Sequence, residues 1–254
     1  MKTPIGISVA AVALSLLTIA PDAAAFDFGT PATKSESAQN FAFELRFSPY
    51  RPQIDDEPGL TGSPFTQTFG SARRLLIQLE LDWQMLRIPH VGTLGPGVAV
   101  GYTTMSADAK TVSGKESGDE TFLSIYPFHL SGVLRADAVW REARIPFIPY
   151  AKLGVGYAHW RAGNSGGTSK VKDAAGNVIA SGRGNSVGSN AALGVELVLE
   201  ALDRGSVRNL DSATGINHAY VFAEYYLLTL NGFGAGDSLR VGTKSWAMGL
   251  TFEF

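Results

Sequence analysis

The sequence predicts an all-β fold, an eight-stranded antiparallel transmembrane up-and-down β-barrel. The final segment alternates large apolar residues with small or polar ones, and seven earlier segments show a similar alternation. The 254 residues include 29 glycines, and only 17% of them are charged. A period of two places successive side chains on opposite faces of a strand, so these segments are typical of strands with one apolar face.

The C-terminal segment carries the strongest of these patterns. Its apolar face consists of Trp246, Met248, Leu250, Phe252 and Phe254. An alternating aromatic pattern ending in Phe is typical of the last strand of Gram-negative outer-membrane barrels. We therefore interpret these five residues as a C-terminal insertion signal.

The N-terminal segment is predicted to be a secretory signal peptide. Lys2 precedes an apolar run, and Ala23 and Ala25 form a small-residue cleavage site. We expect three regions: a signal peptide (1–25), a periplasmic leader (26–40) and an outer-membrane β-barrel domain (41–254).

Composition excludes several classes of protein. The chain has no cysteine, which excludes disulfides, cysteine-based metal sites and a lipoprotein anchor. The formal net charge of −2 argues against nucleic acid as a partner, because nucleic-acid binding needs a basic surface. None of the four histidines has a metal-ligand spacing, so we expect no metal and no cofactor.

The predicted strands have lengths suited to crossing a bilayer at a tilt. They are Phe41–Ser48, Arg74–Gln84, Gly97–Thr104, Thr121–Arg135, Pro149–Arg161, Gly188–Ala201, His218–Leu230 and the C-terminal segment. The parity of the fourth strand is open, because Leu123 and Ile125 compete with Tyr126 and Phe128. Pro127 in this strand suggests a β-bulge.

An even strand number places both termini on one side, which we expect to be periplasmic. The predicted extracellular connections are Pro49–Arg73, Met105–Glu120, Ala162–Val187 and Asn231–Thr243. A periplasmic connection, Leu202–Asn217, is long enough for a short helix. Within the third extracellular connection, Val171–Ala180 is predicted to form a hairpin, which leaves a ten-stranded alternative open.

Several phrases resemble a family of outer-membrane β-barrel proteins found mainly in myxobacteria, within the porin-like superfamily. They are FELRFSPYRPQIDDEPGL (43–60), GSPFTQTFG (62–70), RIPFIPYAKLGVGYAHW (144–160), TGINHAYVFAEY (214–225) and WAMGLTFEF (246–254). The resemblance covers essentially the whole chain after the signal peptide. It implies a barrel fold and a membrane location, and no assigned reaction.

The inward faces of the predicted strands carry charged residues. The predicted lumen charge network comprises Glu44, Arg46, Glu80, Asp82, Lys152, Glu196, Glu200 and Glu224. An eight-stranded barrel is only wide enough for side chains to fill it, so we expect acids and bases to pair and plug the lumen. The alternative is a narrow cation-preferring pore, since acids outnumber bases.

Other residues allow further hypotheses. His129 and Ser131 share a strand face and suggest a lipid-A-modifying enzyme, although no acidic residue is placed to orient the histidine. Asp55, Asp56 and Glu57 form an acidic cluster that suggests a cation site or, more simply, a solvated loop. The predicted aromatic girdles at the membrane interfaces comprise Trp83, Tyr102, Tyr157, Trp160, Tyr225 and Trp246.

These observations favour a monomeric integral outer-membrane barrel with a structural or surface-interaction role and no catalytic residues. Its expected partners are outer-membrane lipid and lipopolysaccharide, together with the barrel assembly machinery during insertion. The alternatives are a pore for small solutes, a lipid-A-modifying enzyme and a soluble periplasmic barrel resembling a lipocalin.

Overall fold

The computed structural model describes residues 40–110, 116–201, 216–235 and 238–254. The predicted signal peptide with Ala23 and Ala25, and the leader apart from residue 40, lie outside these residues. The predicted helix in Leu202–Asn217 falls mostly on residues 202–215, which also lie outside them. All structural statements below concern the described residues.

Strands dominate the described residues. They are β1 (Phe41–Tyr50), β2 (Arg74–Trp83), β3 (Leu86–Ile88), β4 (Gly92–Lys110), β5 (Glu116–Arg135), β6 (Phe147–Asn164), β7 (Gly167–Thr168), β8 (Lys170–Lys172), β9 (Val178–Ser181), β10 (Arg183–Val198), β11 (His218–Leu230) and β12 (Thr243–Glu253). Short α-helices span Pro64–Phe69 and Ala138–Ala143, and 3₁₀ turns span Ile54–Asp56, Leu199–Ala201 and Gly232–Gly234. Among the described residues, no helix is long and apolar enough to cross a membrane.

Eight antiparallel strands close the barrel in the order β1, β2, β4, β5, β6, β10, β11, β12, and β12 pairs with β1. The predicted eight-stranded up-and-down barrel is therefore confirmed. The predicted hairpin forms as β8 and β9, in a small sheet separate from the barrel wall. The ten-stranded alternative is thus wrong for the wall itself.

The predicted strand faces are confirmed in β1, β2 and β11. Glu44, Arg46, Gln78, Glu80 and Glu224 are buried in the lumen. Their neighbours of opposite parity point outward. Because one face of each strand is polar and the other apolar, a slip of one residue would exchange them, and this fixes the register.

The structure resolves the parity of β5. Leu123, Ile125 and Pro127 point into the lumen, while Tyr126 and Phe128 point outward. The bulge suggested at Pro127 is wrong, because the pairings of β5 keep one register on both sides of it. In the ladder with β4, residues 126 and 127 have no paired residue, because proline has no N–H group to donate. The effect of the proline is therefore confined to this local gap in the pairing.

The second extracellular connection is shorter than predicted. The sequence predicts a loop over Met105–Glu120, but β4 extends to Lys110 and β5 begins at Glu116. This part of the hairpin carries polar residues on its outward face, including the paired Asp108 and Glu120. When both faces of a strand are polar, apolar and polar residues do not alternate along its sequence. Such a segment is therefore not distinguished from a loop by its pattern.

The barrel has two distinct ends. The end that holds residues 40 and 254 is called the terminal end. The opposite end, called the loop end, holds the connecting residues 51–73, 165–182, 231–235 and 238–242. The helix Ala138–Ala143 and the 3₁₀ turn Leu199–Ala201 lie at the terminal end, while the helix Pro64–Phe69 and the β8–β9 hairpin lie at the loop end.

Candidate functional site in the barrel lumen

The lumen is built in three layers along the barrel axis. The charged layer lies in the middle and comprises Glu44, Arg46, Glu80, Asp82, Arg135, Lys152, Glu196 and Glu224, each at most 4% exposed. An apolar layer borders it toward each end of the barrel. The order follows from the strands: along β1, Glu44 and Arg46 precede Tyr50, and along β11, Glu224 precedes Leu228 and Leu230.

Arg135 on β5 is the centre of one half of the charged layer. Its guanidinium group donates to Glu44, to Asp82 at 2.6 Å and to Glu196 at 3.1 Å. The three carboxylates come from β1, β2 and β10. A guanidinium group has five N–H donors in a fixed plane, so one arginine can donate hydrogen bonds to several carboxylates at once. Arg135 therefore links strands around the barrel.

Lys152 and Arg46 form the other half of the charged layer. The ammonium group of Lys152 lies 2.6 Å from Glu44 and 2.9 Å from Glu80. Arg46 donates to Glu80 at 2.5 Å and also to Glu224. Glu44 and Glu80 are therefore each shared by two bases, and the contacts form one connected network rather than isolated pairs.

Tyrosine and glutamine side chains complete the charged layer. The Tyr150 hydroxyl donates to Glu224 at 2.9 Å. Toward the terminal end, Glu253 accepts from Gln84 and Tyr220, both at 2.5 Å. The buried acids outnumber the buried Arg and Lys residues. Neutral donors therefore satisfy some of the oxygens that the three bases do not reach, while Asp82 Oδ1 and Glu196 Oε2 have no hydrogen-bond partner among the described residues.

The structure assigns the residues of the predicted charge network differently in two places. Glu200 does not join the charged layer, because β10 ends at Val198 and Glu200 lies in a 3₁₀ turn, where it pairs with His218. The sequence interpretation missed Arg135. Its inward position follows once the parity of β5 is known, but two apolar parities compete in that strand.

The loop-end apolar layer lies above the charged layer. It consists of Tyr50, Leu76, Met105, Leu123, Ile125, Ala158, Ala192, Tyr226, Leu228, Leu230 and Ala247 from the wall, with Phe65 and Val241 from the loops. Gly156 gives this layer room, since a Cβ there would lie within 3.0 Å of the Leu228 and Leu230 side chains. Loop residues thus cap a layer built by the wall.

The terminal-end apolar layer is smaller. Ile148, Val198 and Tyr220 are buried together, and Trp140 from the helix Ala138–Ala143 packs against them. This cluster covers only the side of the lumen formed by β6, β10 and β11, and buried polar residues lie elsewhere at the same end: Gln84, Asn217 and Glu253. Low polarity next to the charged layer strengthens its ion pairs and makes an unpaired charge costly.

His129 and Ser131 both lie in the lumen but do not contact each other. His129 Nε2 is 3.5 Å from Gln78 Nε2, and the Ser131 hydroxyl accepts from Asn190 Nδ2 at 2.9 Å. Both side chains are 4% exposed. The arrangement therefore lacks the hydroxyl–imidazole hydrogen bond of an activated serine nucleophile.

The acidic cluster in the first connection is divided among separate partners. Asp55 accepts from the Phe65 and Thr66 N–H groups at 2.8 and 3.1 Å, and from Arg51 at 3.4 Å. Glu57 pairs with Arg240 at 3.2 Å. Across the described parts of the chain, no three His, Asp or Glu side chains are grouped to hold a metal ion. Asp55 anchors the helix Pro64–Phe69 instead.

The pKa of Asp55 is lowered from its ordinary value. Burial alone would raise this pKa, but hydrogen bonds from the Thr66 hydroxyl and from the Phe65 and Thr66 N–H groups outweigh it, with a smaller contribution from Arg51. These donors favour the ionised carboxylate. Asp55 therefore acts as a charged anchor.

The outer wall of the barrel is apolar around its circumference. Leu153 and Leu193 are each 71% exposed, and further exposed apolar residues lie around the wall: Leu75, Ile77, Leu81, Val98, Leu130, Val155, Val221, Leu227 and Met248. Such a continuous belt is far larger than the apolar patches of soluble monomers. A fold with a polar interior and an apolar exterior is suited to lipid.

Aromatic residues lie at both edges of this belt. Tyr102, Tyr157, Tyr225 and Trp246 are outward and exposed toward the loop end. Phe41 stacks on Phe254 at the terminal end, with ring centroids 6.4 Å apart, and Trp83 pairs with Phe41 in the ladder. The predicted girdle position of Trp160 is wrong, since its side chain packs against the loop-end apolar layer inside the barrel.

The comparisons find no matching protein-family model and no matching curated protein. The chain is similar to several solved structures. Ail, the attachment invasion locus protein of Yersinia pestis, is 11% identical with a TM-score of 0.39, and the match covers 85% of this chain and 97% of Ail. The N-terminal β-barrel domain of Pseudomonas aeruginosa OprF is 11% identical with a TM-score of 0.40, over 85% and 98%. A major outer membrane protein of Thermus thermophilus is 11% identical with a TM-score of 0.38, over 86% and 100%.

These likenesses are too distant to carry an argument about function. The fold is established by the strand pairing of the chain itself. The myxobacterial family resemblance finds no match in these comparisons and stays a prediction.

Proposed function

We propose that the chain is a monomeric integral outer-membrane barrel with a plugged lumen, which has a structural or surface-interaction role through its extracellular loops. The loop end is then extracellular and both termini are periplasmic. Its partners are outer-membrane lipid and lipopolysaccharide, and the barrel assembly machinery inserts it with Trp246, Met248, Leu250, Phe252 and Phe254 as the signal.

The three-layered lumen carries this proposal. A water-filled pore needs a continuous polar path, but the loop-end apolar layer covers the charged layer and interrupts that path. The charges also pair with one another, so they are not available to a permeating ion. Both features favour the plug over a narrow pore, and the belt of exposed leucines favours lipid over a soluble barrel.

The loops are the part left for interaction with other molecules. The β8–β9 hairpin exposes Val171, Val178 and Ile179, each at least half exposed. Aliphatic side chains on a strand pair outside the barrel wall have no role in closing the barrel. They provide an exposed apolar surface beyond the barrel wall, where it is accessible to a second molecule.

Single-channel recording in a planar bilayer tests the plug. The proposal predicts no discrete conductance steps from the purified full chain, while a known porin in the same bilayer conducts. Insertion is verified in the same sample by a boiling-dependent shift on a gel. Reproducible steps from inserted protein would support the small-solute pore instead.

The surface role is tested with the hairpin. Cells displaying Val178→Thr/Ile179→Thr should adhere less to a hydrophobic surface than cells displaying the wild-type chain at equal level. Lys170→Thr changes the same hairpin without removing an aliphatic residue and serves as the matched control. Equal adhesion of all three would argue that the hairpin is not an interaction surface.

A further inference from the structure

The outer wall formed by β4, β5, β6 and β10 is organised in rows of paired residues that run across the strands. Val98, Leu130 and Val155 form one row, and Val100, Phe128, Tyr157 and Val187 form the next toward the loop end. Rows follow each other every two residues, at about 6.7 Å along a strand. All of these residues except Val100 line a groove of about 580 Å³, to which Phe233 contributes from the loop end.

The next row is aromatic and polar. Tyr102 and Tyr126 lie with ring centroids 5.2 Å apart, and Tyr126 pairs with His159 in the ladder. Asn185 follows on β10 and accepts from the Tyr157 hydroxyl at 2.7 Å. Such a row is typical of the membrane interface, where rings with a polar edge leave the hydrocarbon.

The row above it holds two arginines. Arg161 on β6 and Arg183 on β10 are direct partners in the ladder, and both are exposed on the outer face. Like charges directly opposite each other on neighbouring strands repel. Arg161 donates its Nε–H to the Thr168 hydroxyl at 2.7 Å and lies over the Phe122 ring. Within the described residues neither arginine forms an ion pair with a carboxylate.

We propose that this wall binds one phosphorylated lipid of the outer leaflet. The phosphate lies between Arg161 and Arg183, and an acyl chain runs down the groove past Phe128 and Val155. The two arginines lie about 13 Å above the row of Phe128, the length of two row spacings. A phosphate neutralises the repulsion of the arginine pair, and guanidinium groups bind phosphate oxygens in pairs.

The opposite wall carries basic residues near the loop end, Arg51, Arg73 and Lys244, but no directly facing basic pair among the described residues of its ladder. Beside Arg161 in its own row, the ladder places Ser124 and then Thr104, which are uncharged. Lys244 on β12 is exposed at the loop end, but its ladder partner is Leu227 rather than a second base. Arg161 and Arg183 are therefore distinguished by facing each other directly in the ladder.

This inference rests on the proposed membrane location, and its test works in detergent so that the two can fail separately. Native mass spectrometry of the full chain compares dioleoyl phosphatidic acid with dioleoylglycerol, which has the same acyl chains and no phosphate. We expect retention of phosphatidic acid over dioleoylglycerol. Arg161→Gln/Arg183→Gln should reduce that retention about tenfold or more, because two charge-assisted hydrogen-bonding groups are lost.

Lys244→Gln removes one exposed positive charge from the opposite wall and should leave retention unchanged. Equal retention by the double variant and the wild-type chain would overturn the proposal. So would displacement of the lipid by inorganic phosphate at low concentration, since that result identifies a free-anion site without a role for the groove. A boiling-dependent gel shift of each variant establishes that the barrel is folded in every comparison.

Discussion

The charged layer and the loop-end apolar layer occupy the same lumen and are held together in different ways. In the charged layer, three bases meet carboxylates from several strands, and removing one base leaves buried acids unpaired. In the apolar layer, each side chain adds only its own contacts. The first layer therefore depends on the identity of single residues, while the second depends on total volume.

The largest effect is expected for Arg135→Met. The substitution leaves Asp82 and Glu196 buried without their base, which should lower the free energy of unfolding by about 3–5 kcal/mol. Urea titration in lipid vesicles, followed by tryptophan fluorescence, measures it. Adding Asp82→Asn and Glu196→Gln to this variant should restore much of the loss. Arg141→Met, in an exposed pair with Asp137, should cost under about 1 kcal/mol.

The apolar layer is tested by Leu228→Ala. Leu228 is fully buried, so the variant loses packing and leaves a cavity, with an expected cost of about 2–5 kcal/mol in the same titration. Its neighbour Leu227 points outward, and Leu227→Ala should cost less because lipid refills the space. Equal costs at the two positions would show that β11 does not separate lumen from lipid.

The smallest effect is expected for Asp55→Asn, which loosens the loop that places Phe65 on the apolar layer. Hydrogen–deuterium exchange at the Phe65 and Thr66 amides, corrected for intrinsic rate, should rise by a factor corresponding to about 1 kcal/mol. Because the folded pKa of Asp55 is lowered, its contribution is full above the unfolded pKa of about 3.9 and is lost as pH falls through the lower folded pKa. Acid should therefore increase exchange in the wild-type chain and leave Asp55→Asn nearly unchanged. A pH response of equal size in both would remove Asp55 as the anchor.

The sequence predicts the inside and outside of the barrel well, because a period of two reports which face a residue is on. The period does not report where a residue lies along the barrel axis. The apolar layer above the charges was therefore not predicted, although Leu228 and Leu230 are inward by parity. The position of a residue along the barrel axis depends on how the eight tilted strands are staggered, and that stagger is set by the strand pairing of the whole sheet.

The individual errors have similar physical causes. Glu200 keeps the inward parity of β10, but the strand ends at Val198 and the chain turns away. Arg135 was missed because both faces of β5 carry apolar residues, so parity alone does not identify its inner face. The inward apolar residues Leu123 and Ile125 belong to the loop-end layer. The assumption that the barrel interior is polar does not predict apolar residues there.

The most direct test of the account uses two natural tryptophans that lie on opposite faces of the wall. Variants that keep only Trp246 or only Trp160 are reconstituted in vesicles with brominated phospholipid or exposed to acrylamide in water. The account predicts that brominated lipid quenches Trp246 strongly and Trp160 weakly, with little quenching of either by acrylamide. Quenching of Trp246 by acrylamide but not by brominated lipid would contradict the membrane-spanning wall, and strong acrylamide quenching of Trp160 would contradict the closed lumen.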